Sequence, residues 1–146
     1  MDNWEDAFRT AFRGGFSGVL RWPQLDDLWT TIKKNNREGW YIYAIGTPPP
    51  VETSSAEDFD HFLNEVDSLL RTEHAEEFCG VVYVDSVSDP SFVKIFDPNN
   101  LGVSCGYSDN PPLPGWIISR LQPVDLQAQG PLPGNRRRWW QRLFSR

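Results

Sequence analysis

The side chains of this chain with the most reactive chemistry are two cysteines, Cys79 and Cys105, and two histidines, His61 and His74. A nucleophilic thiol needs a base within hydrogen-bond reach, usually a histidine, and a third group to orient that base. His74 precedes Cys79 across an expected helix-to-strand turn, so Cys79, Cys105 and His74 are the catalytic candidates. The competing reading is plainer. Each cysteine precedes a glycine in or beside a strand-like segment, where cysteine commonly serves as a small buried hydrophobe.

Metal chemistry finds less support. Neither pair has the CxxC or HxxxH spacing that places two ligands on one ion. His61 and His74 fall on one predicted helix, where a separation of thirteen residues corresponds to about 20 Å of rise. The run Asp97-Pro98-Asn99-Asn100-Leu101-Gly102 echoes the start of a calcium loop, but Leu101 and Ser108 stand where ligands are required. It reads as a turn. No metal site and no cofactor are expected.

Phosphate and acid–base chemistry are equally thin. Gly14-Gly15-Phe16-Ser17-Gly18 lacks both the Lys-Ser/Thr and the preceding strand of a P-loop. Arg9 and Arg13 beside it lie at a helix C-terminus, the wrong end for backbone amides to hold an anion. Asp85, Asp89, Asp97 and Asp109 recur at strand ends and turns, where aspartate caps local donors. A pair of them would do acid–base work only if the environment split their pKa values.

Charge distribution is more informative. Residues 135–146 (NRRRWWQRLFSR) hold five of the fourteen basic residues and no acid, whereas residues 1–134 carry nine basic against twenty acidic side chains, a formal −11. On a helix of roughly 100° per residue, Trp139, Trp140, Leu143 and Phe144 share one arc of about 140°. Arg138, Arg142 and Arg146 take the other side. Arginine and tryptophan dominate the energetics of many interfaces, and the pattern suits a helix seated in a partner's apolar groove. It also suits an interfacial helix on anionic lipid. An acidic body disfavours nucleic acid. The binding candidates are therefore Arg136, Arg137, Arg138, Trp139, Trp140, Arg142, Leu143 and Phe144. A helix of twelve residues is marginal alone in water, so docking would order it.

These candidates need elements to hold them. Trp4, Ala7, Phe8, Ala11 and Phe12 recur at helical spacing, and Gly14-Gly15 closes that helix. Residues 16–22 read as a linker. Pro23 opens a second helix with Leu25, Leu28, Trp29 and Ile32 as its apolar stripe. Trp40–Ile45 is aromatic and β-branched on both alternating faces, the mark of a strand covered on two sides. Ser54 and Glu57 form a capping box for a third helix reaching about Ala75. Its stripe is Phe59, Phe62, Leu63, Val66, Leu69 and Leu70, and acids fill its other face.

Phe78–Asp85 and Phe92–Phe96 then predict an antiparallel hairpin. A short strand is expected around Val103–Tyr107 and another over Trp116–Leu121. Successive strands without intervening helices favour an α+β fold. We expect a mostly antiparallel sheet of about four strands, with two or three helices packed on it in the order ααβαβββ. Residues 1–123 form the domain, 124–135 a Pro/Gly linker and 136–146 the tail.

Two cysteines are too few for a disulfide scaffold, and no stretch approaches the ~20 apolar residues needed to span a bilayer. No apolar run follows a basic segment at the N-terminus, and the expected setting is a reducing cytoplasm. The function expected is a non-catalytic interaction domain that docks a protein partner through the Arg/Trp tail and the acidic helix face. The alternatives are peripheral attachment to an anionic membrane, and a small enzyme with a thiol or carboxylate site.

Overall fold

The computed structural model describes residues 3–35, 38–73, 78–97 and 114–126. The first helix, α1 (Trp4–Phe12), starts where the Asn3 side chain accepts a hydrogen bond from the Glu5 N–H at 2.9 Å. Glu5 and Asp6 occupy its first turn, where the helix dipole favours them. A strand, β1 (Ser17–Arg21), follows, and the linker expected over 16–22 is corrected accordingly. Its pattern hid it: only Val19 is buried, and Gly18 weakens any strand signal.

Helix α2 (Trp22–Asn35) buries Leu25, Leu28, Trp29 and Ile32 as the spacing predicts. Strand β2 (Tyr41–Ala44) is covered on both sides. Helix α3 (Ala56–Glu73) buries Phe59, Phe62, Leu63, Val66 and Leu70. Its cap is Ser55, whose Oγ accepts from the Asp58 N–H at 3.1 Å. Ser54, the expected cap, donates its N–H and its hydroxyl to the Trp40 carbonyl instead, tying the helix entry to the sheet. The expected end near Ala75 lies outside the described residues, as does the strand around Val103–Tyr107.

Strands β3 (Phe78–Val84) and β4 (Phe92–Ile95) form the predicted hairpin, with Val82 opposite Ile95 and Val84 opposite Val93. Asp85 closes its turn by accepting from the N–H groups of Ser86, Ser91 and Phe92 and from the Ser91 hydroxyl. Strand β5 (Trp116–Ser119) stops short of Leu121. There the Ser119 hydroxyl bonds both the N–H and the carbonyl of Leu121, turning the chain out of the ladder.

The class is α+β, and the described residues form an antiparallel sheet of five strands in the order β1-β3-β4-β5-β2. Among the described residues the element order is αβαβαβββ, because β1 adds a strand between the first two helices. Between Val19 and Arg21 the register with β3 shifts, and Gly80 sits in that bulge with φ +68°. Only glycine adopts such a backbone without a Cβ penalty.

Helices lie on both sides of the sheet. On one side α2 and α3 enclose a core that includes Trp40, Val82, Ile95, Trp116 and Ile118. On the other, α1 together with Val124 and Leu126 covers Tyr43, Ile45, Phe92 and Ile117. Val124 is buried in this second cluster, and the Leu126 N–H donates to the Tyr43 hydroxyl at 3.1 Å. Packing therefore continues past residue 123. Among the described residues no helix is long and apolar enough to cross a membrane.

Candidate functional site

The candidates named from the sequence divide by place. His74, Cys105, Asp109 and the tail residues Arg136, Arg137, Arg138, Trp139, Trp140, Arg142, Leu143 and Phe144 lie outside the described residues. Cys79 is fully buried among the side chains under α2 and α3. Burial pushes its thiol pKa up, opposing the partial lowering by the Val81 and Val82 amides. A nucleophilic thiolate needs the reverse shift. Asp85 is committed to its hairpin, Asp89 is exposed in the turn, and Asp97 is buried. Among the described residues no three His, Cys, Asp or Glu side chains converge on a point that could hold a metal ion.

What the fold does organise is charge on α3. Its buried stripe sets the helix phase, so Glu57, His61 and Glu65, four residues apart, share the opposite face. Two nearby cations are already engaged. Arg71 donates its Nε to both oxygens of Asp67, at 3.1 and 3.0 Å, and its Nη2 to Asp26 of α2 at 2.6 Å. Its guanidinium also lies 4.9 Å from the Trp22 ring centre. Trp29 completes the tie by donating its indole N–H to Asp67 at 3.1 Å. Lys33 reaches across to Asn64 at 2.9 Å. No ion pair with a described residue occupies Glu57, Glu65 or Glu73.

The second side of the sheet carries a cluster that reading the chain missed. Lys94 on β4 donates its Nζ to the Phe12 carbonyl, the C-terminal end of α1, at 2.7 Å. The same ammonium lies 4.2 Å from the Phe12 ring centre and 4.0 Å from that of Phe16. Burial lowers its pKa from the ordinary lysine value. Tyr83, opposite Lys94 on β3, extends its ring over Gly18. A Cβ at Gly18 would meet that ring at 3.1 Å, so glycine is what lets the ring lie there. The one available signal was a lone lysine alternating with apolar residues in Phe92–Phe96 (FVKIF), too slight without strand order.

No protein-family model, curated protein or solved structure matches this chain.

Proposed function

We propose that this chain is a non-catalytic interaction domain that docks a partner protein through its Arg/Trp tail and the acidic outer face of α3. The observation that carries the reading is the outward stripe of α3, where Glu57 and Glu65 retain no cationic partner among the described residues. Arg71, a cation of the same helix, is held by Asp67 and Asp26 instead. The stripe therefore offers negative potential to a basic partner, which raises association rate and sets register more than it adds affinity.

The tail supplies the complementary chemistry. Trp139, Trp140 and Phe144 would be the apolar anchors, and Arg136–Arg138 with Arg142 would steer approach. A thiol-based enzyme is the weaker reading, since the one described cysteine is enclosed and its thiol held in the neutral form.

The test is affinity capture with three full-length baits: the native chain, Glu57→Lys/Glu65→Lys, and Trp139→Ala/Trp140→Ala. The proposal expects the same protein to be enriched by the native chain and lost from both variants. Retention by both variants would contradict it.

A further inference from the structure

We propose that the β1 margin of the second sheet face is a contact surface for an anionic lipid bilayer, distinct from the acidic α3 face. Four observations lead there. First, the margin is a continuous apolar surface. Phe16 touches the Lys94 ammonium, Lys94 stands opposite Tyr83, and the Tyr83 ring and the Leu20 side chain both lie against Gly18. Leu20 is 60% exposed, and Phe12, Phe16 and Tyr83 are half-buried.

Second, the segment that builds the margin is basic within an acidic chain. From Ala7 to Gln24 the chain has three arginines and no acid. Arg13 and Arg21 are exposed, and their side chains hold no ion pair among the described residues. Asp85, next to the Val84 that pairs with Ser17, is an exposed acid at one end of this margin, its carboxylate held by the N–H groups of Ser86, Ser91 and Phe92.

Third, Lys94 meets no carboxylate among the described residues. Its partners are a carbonyl and two rings, none of which carries a full negative charge. Fourth, main-chain capture of a peptide is obstructed at this edge. The Gln24 Oε1 already accepts from the N–H groups of Leu20 and Arg21, at 3.1 and 2.9 Å. Strand addition needs such donors. A bilayer does not, because it takes up apolar side chains at the headgroup boundary while arginines meet anionic lipid.

Co-sedimentation of the full chain with vesicles tests this, using phosphatidylcholine alone and phosphatidylcholine containing about 30% phosphatidylserine. The native chain should sediment with the anionic vesicles only, and less so as salt is raised. Arg13→Gln/Arg21→Gln should weaken partitioning about 30-fold, at roughly fivefold per arginine. Leu20→Ser, at an exposed position that leaves the core intact, should weaken it roughly fivefold. A companion Arg136→Gln/Arg137→Gln/Arg138→Gln chain separates the tail's contribution. Native partitioning by both the arginine pair variant and Leu20→Ser would overturn the proposal. So would binding to neither vesicle, or equal binding to both.

Discussion

The Lys94 ammonium sits 2.7 Å from the Phe12 carbonyl oxygen, so a side chain from the fourth strand closes the last turn of the first helix. The last carbonyls of a helix have no partner within it, and cationic side chains are favoured at that negative end. Residues 82 positions apart are thereby joined, and α1, too short to persist alone, is fixed to the sheet. Lys94→Met keeps the aliphatic stem but removes the hydrogen bond and both ring contacts. It should lower stability by about 1–2 kcal/mol. Urea unfolding followed by circular dichroism measures this, and an unchanged midpoint would refute the capping role.

Cys79 gives a pH prediction. Its thiol pKa is raised above 9.0 in the folded state, with burial the largest cause. Between the unfolded value and the folded one, the unfolded chain has lost its proton while the folded chain keeps it. The stabilisation from this group is thus present below pH 9.0 and is lost as pH rises through the folded pKa. Cys79→Ala should flatten the decline of unfolding free energy above that pH. Near neutral pH, iodoacetamide should leave Cys79 unmodified until urea unfolds the chain, as peptide mapping would read.

The tie between α2 and α3 is a surface network, and its worth is correspondingly small. Arg71 and its partners are partly exposed, with side-chain exposures of 37% for Arg71 against 62% for Asp26 and 27% for Asp67. Solvent screens such pairs, so a double-mutant cycle of Asp26→Asn with Arg71→Gln should give a coupling of about 0.5 kcal/mol that shrinks in high salt. Coupling above roughly 2 kcal/mol would show a far drier contact than this geometry describes.

Tyr43 reports on the packing of residues 124–126. Its hydroxyl accepts the Leu126 N–H, and burial raises its pKa. Tyr43→Phe keeps the ring in the core and orphans that N–H, for an expected loss of about 1 kcal/mol. Amide exchange at Leu126 should accelerate, with little change at Ile42 and Ile118. Equal acceleration throughout would point to global destabilisation.

Much of this fold is legible where burial is periodic. The stripes of α2 and α3 and the two-sided strand Tyr41–Ala44 are visible because one repeated face, or both, must leave water, whereas of the stripe expected for α1 only Phe8 is fully buried and Trp4 and Ala7 are exposed. Strand β1 is not legible, because at an edge one buried residue, Val19, suffices. Sheet order is also hidden. Nothing local to Val93 announces that it faces Val84 on one side and Ile118 on the other. The choice of Ser55 over Ser54 as the cap followed from a tertiary bond, since the Trp40 carbonyl claims Ser54. The acidic stripe of α3 could be read from spacing. The Lys94 cluster could not, because its parts come from residues 12, 16, 83 and 94.

The most direct test of partner docking compares two-dimensional amide spectra of the full chain and of a chain ending at Gly134. If the tail is available to a partner, peaks from residues 3–126 keep their positions when residues 135–146 are removed. If many core peaks move instead, the tail is packed on its own domain, and the docking account is contradicted.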